Sequence, residues 1–146
     1  MDTKMFCFQC QETARNFGCT QVGVCGKQPE TSNLMDLMIW VTKGLSQITT
    51  RLRAEGRQID KDVNHLVTYN LFQTITNANF DDDKVVERIL LTIAAKEQLL
   101  ADLADKKDLS SAALFNNVDT STYAELSKTV GVLAQSNEDV RSLKEL

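Results

Sequence analysis

Hydrophobic residues recur three or four positions apart over most of the chain after residue 30, which is the spacing of an amphipathic α-helix. The first such stretch contains Leu34, Leu37, Met38, Val41, Leu45, Ile48 and Leu52. We expect this helix to begin near Ser32 or Asn33, because Asn33 can cap it and an acidic residue follows three positions later. Gly56 is a natural stop for the same helix.

Two further stretches show the same period. The pattern predicts a second helix from about Asp60 to Ala78, with an apolar stripe of Val63, Leu66, Val67, Leu71 and Ile75. A third helix is predicted to start at the acidic run 81–83, since acidic side chains favour the first turn of a helix. Its apolar residues are Val86, Ile89, Leu90, Ile93, Leu100 and Leu103. Three amphipathic helices with short connections indicate an antiparallel bundle.

The C-terminal part of the chain is less regular, and residues 105–120 are predicted to be mostly loop. A further helix is predicted from Thr122, where Glu125 would complete a capping box. Its buried face would contain Leu126, Val130 and Leu133. Another helix is predicted to open at Ser136 or Asn137 and runs for only about two turns, which is marginal without tertiary support. We interpret this last stretch as part of a larger protein or as an end that docks onto another surface.

Residues 6–29 show no sustained helical or strand period, and their three glycines and single proline predict an irregular loop. All four cysteines lie in this segment, at Cys7, Cys10, Cys19 and Cys25. The predicted fold class is therefore all-α, an antiparallel helical bundle with an N-terminal cysteine-rich loop. The loop would occupy residues 1–30 and the bundle residues 31–146, and the two would form one structural domain.

Charge and composition exclude several function classes. The chain of 146 residues is 42% hydrophobic and 25% charged, which is ordinary for a globular protein. Its net charge is −4 and its basic residues form no block, which argues against binding nucleic acid or an anionic membrane surface. The sequence shows no apolar stretch long enough to span a bilayer and no secretory signal after Met1, so we expect a reducing, cytoplasmic location.

Four cysteines with spacings of two, eight and five intervening residues leave three interpretations. Two disulfides would need an oxidising compartment, which conflicts with the expected location. Structural zinc also takes four thiolates, but only the first pair has the close spacing of a zinc knuckle. An iron–sulfur cluster takes the same thiolates and tolerates uneven spacing, because the cluster is larger than one ion. Ligand type alone does not separate zinc from the cluster.

The residues around the cysteines suit a cluster. An apolar shell that limits water could be formed by Phe6, Phe8, Phe17, Val22 and Val24. Gly18, Gly23 and Gly26 would let backbone N–H groups approach the sulfur atoms. The lone His65 lies on the second predicted helix and is expected to be a surface or partly buried residue rather than a ligand. The step from Cys25 to Lys27 lacks the frame of a phosphate-binding loop.

The run from Met5 to Ala14, followed by Gly18-Cys19-Thr20 and the run from Gly23 to Lys27, closely resembles the N-terminus of the hybrid cluster proteins. These are also called prismane proteins or hydroxylamine reductases. The resemblance continues through residues 30–34 and the first helix, and returns at residues 75–81, 130–134 and 137–143, so it touches most of the chain.

This resemblance implies that Cys7, Cys10, Cys19 and Cys25 hold a 4Fe–4S cluster, which passes electrons to a second, hybrid iron–sulfur–oxygen cluster. In the family, hydroxylamine or nitric oxide is reduced at that hybrid cluster. Its ligands are cysteines, a histidine and glutamates of later domains, and this chain has no cysteine after Cys25. The chain is therefore expected to be the N-terminal part of a larger oxidoreductase, with no catalytic residue of its own proposed and its status as an enzyme left open.

The main hypothesis is an electron-transfer domain whose partners are a redox donor protein and the remaining domains of a hybrid cluster protein. Dimerisation of the chain is left open. The alternative, from a different class, is a zinc-binding helical interaction domain without a redox role.

Overall fold

A computed structural model describes residues 3–145 of the chain. Six α-helices account for most of these residues: α1 (Pro29–Ala54), α2 (Lys61–Ile75), α3 (Asp82–Asp102), α4 (Ser111–Leu114), α5 (Tyr123–Val130) and α6 (Glu138–Glu145). Short 3-10 helices cover Ala14–Asn16, Thr120–Thr122 and Val132–Ala134. The described residues contain no β-strand, only one isolated antiparallel bridge. The predicted all-α class is confirmed.

The first helix starts earlier than its apolar pattern suggested. Pro29 is its first residue and Gln28 is the N-cap in an extended conformation, so the predicted start at Ser32 or Asn33 was wrong. Proline fits the first helical position because its missing N–H has no intrahelical partner there. The predicted end is confirmed, since the helix stops at Ala54 and Gly56 has a φ of 81°. Few residues other than glycine adopt that left-handed conformation.

Polar contacts at the helix ends fix the direction of the first three helices. Thr31 at the start of α1 donates to Asp82 at the start of α3 over 2.6 Å. Arg57, just past α1, lies 3.5 Å from Asp102 at the end of α3. The helices α1 and α3 are therefore parallel. The end of α1 meets the start of α2 through Arg53 and Asn64 over 2.6 Å, so α2 runs in the opposite direction. Consecutive helices thus alternate in direction, as in an antiparallel bundle.

The helix α1 is the centre of the fold and packs most extensively against α3, and also against α2, α4 and α5. One core cluster contains Met35, Leu37, Met38, Val41, Val85, Ile89, Ile93 and Tyr123. A second, smaller cluster contains Ile48, Leu52, Leu103 and Ala113. The side chains predicted for the α1 stripe are buried apart from the partly buried Leu34, so the sequence pattern identified the central helix correctly.

The helix α2 faces the core with polar side chains. Its buried residues are Asn70, Gln73 and Thr74. Leu71 and Ile75, which were predicted to lie in its buried stripe, are 46% and 47% exposed, so that part of the prediction was wrong. The helix also ends at Ile75 rather than near Ala78, and Asn77 adopts a positive φ of 53° just beyond it. The predicted start near Asp60 is confirmed, and the Asp60 side chain caps the helix by accepting a bond from the N–H of Asp62.

The other helix boundaries agree well with the sequence pattern. Asp81 caps α3 by accepting bonds from two backbone N–H groups, as the acidic run indicated. The predicted loop 105–120 is mostly irregular but contains the single turn of α4. The predicted capping box of α5 was wrong: Thr122 makes no side-chain cap bond to the helix, and its hydroxyl donates to the carbonyl of Asp119 instead. Asn137 accepts a bond from Val140 at the start of α6. Among the described helices, none is long and apolar enough to cross a membrane.

Candidate metal centre

Two sections of the N-terminal loop run side by side and bring Cys7 next to Cys19. The backbone N–H of Cys7 donates to the carbonyl of Cys19 over 3.1 Å, and the reciprocal bond measures 2.9 Å. One register step away, the N–H groups of Lys4 and Met5 both donate to the carbonyl of Thr20. The Met5 side chain is fully buried, which fixes this short pair of segments to the body of the protein.

The third section of the loop is a tight turn that carries Cys25. The N–H of Gly23 donates to the carbonyl of Lys27 over 2.8 Å, and the N–H of Gly26 donates back to Gly23 over 2.8 Å. Gly26 has a φ of 94°, a conformation that side chains rarely adopt. A Cβ atom on Gly23 would lie 3.1 Å from the sulfur of Cys25, so a side chain there would force that sulfur to shift by a few tenths of an ångström.

Thr13 connects Cys10 with the paired cysteines. Its N–H donates to the carbonyl of Cys10 over 3.3 Å, which closes the turn after that cysteine. Its hydroxyl, in a side chain that is 8% exposed, donates to the carbonyl of Cys7 over 3.1 Å and lies 3.9 Å from the sulfur of Cys19. A short-range hydrogen-bond network therefore holds three of the four cysteines relative to one another.

Hydrogen-bond donors converge on the sulfur of Cys19. Burial opposes ionisation of this thiol, but N–H groups of Val24 and Ala14, the Thr13 hydroxyl and the charge of Lys27 together leave the pKa of Cys19 below its ordinary value. Bonds of this kind stabilise a thiolate over a thiol. The loop thus favours the form of Cys19 that binds metal.

The pKa of Cys7 is raised, in contrast to that of Cys19. Burial is the largest influence and raises the pKa of Cys7, while the charge of Lys27 and the N–H of Gln9 oppose that rise. The negative charges of Asp36 and Cys19 add to the rise. The pKa of Cys7 is raised partly because its ionised form would lie near the negative charges of Asp36 and Cys19, so a cation bound by the two sulfurs would favour the ionised form of Cys7.

Lys27 was not singled out as a site residue by the sequence, but it belongs to this site. Its side chain is only 2% exposed, and its ammonium donates to the carbonyl of Thr74 over 3.0 Å. The same nitrogen lies 3.8 Å from the sulfur of Cys7. The only sequence signal was a lysine two residues after the last cysteine, because its partner in α2 is 47 positions away.

The residues predicted to shield the cysteines do so only in part. Phe6 is partly buried and packs close to Gly18, where a Cβ atom would lie 2.6 Å from the phenyl ring. The other four predicted residues are exposed, from 45% for Phe8 to 84% for Phe17, so the prediction of an apolar shell made by them was wrong. Of these four residues, Val24 contributes its backbone N–H to the sulfur of Cys19. His65 is exposed on α2, as expected.

All four cysteines are free thiols in the structure. Within residues 3–145, no group of three or more Cys, His, Asp or Glu side chains is arranged to hold a single metal ion. The donor set nevertheless fits a larger inorganic group, because four thiols share one loop and two of their sulfurs already receive N–H, hydroxyl or ammonium donors. These contacts are the ones that stabilise cluster thiolates.

The sequence is similar to known proteins over nearly its whole length. The Prismane/CO dehydrogenase family matches residues 5–146. The chain is 58% identical over 144 residues to the hydroxylamine reductase of Desulfovibrio desulfuricans, covering 99% of this chain and 26% of that protein. It is 44% identical over 148 residues to the hydroxylamine reductase of Clostridium perfringens, covering 97% of this chain and 27% of that protein. The chain thus spans about a quarter of the length of the curated relatives that it matches.

Proposed function

Because the chain belongs to the Prismane/CO dehydrogenase family, we propose that it is the N-terminal, iron–sulfur electron-transfer domain of a hydroxylamine reductase-like oxidoreductase. In this proposal Cys7, Cys10, Cys19 and Cys25 bind one 4Fe–4S cluster. Reduction of hydroxylamine or nitric oxide takes place at a hybrid cluster whose ligands this chain does not supply, since it has no cysteine after Cys25. The partners are a redox donor protein and the remaining domains of the longer protein.

The observation that carries the proposal is the set of donors aimed at the cysteine sulfurs. Cys7 receives the N–H of Gln9 and the ammonium of Lys27, and Cys19 receives two further N–H groups and the Thr13 hydroxyl. Hydrogen bonds to sulfur are among the main determinants of cluster stability and potential. A bound cluster would supply one-electron transfer, for which no proton-transferring residue is required.

The surroundings of the loop support an electron-transfer role rather than catalysis within this chain. Cys7, Cys10 and Cys25 are only partly buried, which places the thiols close to the surface of the domain. Beside them, a groove of about 990 Å³ is lined by Phe8, Gln9, Trp40, Leu71, Phe72 and Ile75. The groove also has Asp36, Lys43 and Lys144 in its lining, and a largely apolar groove with a few charged residues next to the cysteine loop suits contact with the remaining domains of a longer protein.

The test is metal and sulfide analysis of the chain purified without oxygen. We expect about four iron and four sulfide ions per chain, a brown colour, and an electron paramagnetic resonance signal after reduction with dithionite. Replacing Cys19 with Ser is expected to abolish the cluster. Replacing the exposed His65 with Ala is the matched control and should leave the iron content unchanged.

The alternative of structural zinc predicts a different result in the same experiment. A colourless protein with one zinc ion per chain and no sulfide would overturn the proposal and support a helical interaction domain stapled by zinc. Loss of metal in the His65→Ala variant would instead indicate a mixed ligand set that the cysteine loop alone does not provide.

A further inference from the structure

Lys27 is one of two fully buried lysines in the part of the chain that the structure describes, and it belongs to the cysteine loop itself. The other, Lys96, is 0% exposed and contacts Glu97 over 3.0 Å and the carbonyl of Ala113 over 2.8 Å. Within residues 3–145, Lys27 forms no such ion pair with a carboxylate. Its two partners are a backbone carbonyl and a cysteine sulfur.

The carbonyl that binds Lys27 is at the end of α2. Thr74 is the penultimate residue of the helix, so its carbonyl is one of those left without an intrahelical partner. The C-terminal end of a helix also carries a partial negative charge, which attracts an ammonium group. Lys27 therefore joins the cysteine loop to α2, and the 3.0 Å bond fixes where its charge lies.

The fixed ammonium lies 3.8 Å from the sulfur of Cys7 and acts on both paired cysteines. Its positive charge favours negative charge on both sulfurs, and it opposes the effect of burial at both and of the Asp36 carboxylate at Cys7. A group that stabilises negative charge on these sulfurs also stabilises any further negative charge delivered to an inorganic core bound by them.

We propose that Lys27 is a positioning residue that raises the reduction potential of the cluster by holding its ammonium between Cys7 and the end of α2. This inference rests on the proposed function, because it requires that the four cysteines bind a cluster. One electron supplied by dithionite adds one negative charge beside Cys7, no bond forms or breaks, and the ammonium of Lys27 lowers the energy of that added charge.

The experiment is a potentiometric titration of the anaerobically purified full chain, followed by electron paramagnetic resonance. In Lys27→Gln the charge is lost, and we expect a roughly tenfold smaller ratio of reduced to oxidised cluster at a given potential, equal to about 59 mV for one electron. Lys27→Arg keeps the charge and should restore most of the parent potential. Lys96→Met is the matched control, since it removes the other buried ammonium far from the loop in sequence.

The outcomes separate the two proposals. Absence of iron and sulfide in the parent chain would refute the proposed function itself. A cluster present in all variants, with Lys27→Gln at the parent potential or Lys96→Met shifted equally, would refute the role of Lys27 and leave the cluster intact.

A second measurement covers the case in which Lys27→Gln does not retain a cluster. The parent chain labelled with ¹⁵N at the lysine side chains should show a nitrogen coupling to the electron spin of the reduced cluster by electron–nuclear double resonance. Lys27→Arg should remove that coupling while keeping the cluster. Absence of a lysine coupling in the parent chain would overturn the proposal whatever the variants show.

Discussion

Substitution of Gly44 by Ala tests how tightly the central helix packs. Gly44 is buried on α1, and a Cβ atom there would overlap the backbone carbonyl of Ala112 and lie 2.8 Å from the nitrogen of Ala113. Ordinary contact begins at 3.4 Å, so α4 would have to move by more than the 0.6 Å difference. A gap of about 0.5–1 Å already removes a quarter to a half of the dispersion energy of an atom pair.

The displaced segment carries two further interactions. Ala113 is fully buried against Ile48, Leu52 and Leu103, and its carbonyl accepts the bond from Lys96. Overpacking costs about 1–3 kcal/mol, and a weakened bond to a charged donor adds up to about 1.5–3 kcal/mol. The better helix propensity of alanine returns about 1 kcal/mol. We therefore expect the free energy of unfolding to fall by about 1.5–5 kcal/mol.

Urea unfolding followed by circular dichroism measures this loss. With an unchanged slope, the midpoint of Gly44→Ala should fall by about 1–2 M urea relative to the parent chain. The adjacent Lys43 is exposed, and Lys43→Ala should change the free energy of unfolding by less than about 0.5 kcal/mol. A Gly44→Ala variant as stable as the parent would show that α4 does not pack on α1 at this distance.

Three further predictions concern the site and α2. Gly23→Ala should speed the release of iron to a chelator about tenfold, because the added Cβ would lie 3.1 Å from the sulfur of Cys25. Val24→Ala alters an exposed side chain and should leave the rate of iron release unchanged. In the metal-free chain the pKa of Cys19 lies below the ordinary 9.0 and that of Cys7 lies above it. The ultraviolet absorbance of the thiolates should therefore rise at lower pH in Cys7→Ser, which retains Cys19, than in Cys19→Ser, which retains Cys7. The reverse order would contradict the hydrogen bonding described. Asn70→Ala removes the bonds that the Asn70 side chain donates to the hydroxyls of Thr42 and Thr92. Urea unfolding should show a free energy of unfolding lower by about 1–2 kcal/mol. An unchanged midpoint would show that this buried network does not hold α2.

The helices were readily predicted because their apolar period is strong, whereas their ends were decided by single residues. The start of α1 was missed because Pro29 was assigned to the loop, although proline is equally compatible with the first turn of a helix. The capping box at Thr122 was predicted wrongly because the chain already turns at Asp119, which accepts the bond from Ser121 and begins a 3-10 turn. Both errors come from local signals that fit two conformations equally well.

The resemblance to the hybrid cluster proteins, inferred mainly from the sequence around the four cysteines, is confirmed by the family match over residues 5–146. The assignment of the four cysteines as ligands stays a prediction. Spacing could not show which sulfurs receive donors, since the N–H groups of Gln9, Ala14 and Val24 reach them only through turns of the folded loop. Nor could it show that Lys27 is buried, because the carbonyl that binds it belongs to a helix far along the chain.

The polar inward face of α2 has a structural reason that the hydrophobic period alone hides. Asn70 donates to hydroxyls on α1 and α3 over 3.1 and 2.7 Å, and the carbonyl of Thr74 accepts from Lys27. The helix is thus held to its neighbours largely by directional bonds, while Leu71 and Ile75 remain at the groove beside the cysteine loop. Because such bonds are sensitive to small displacements, a shift of α2 would move the carbonyl that positions Lys27.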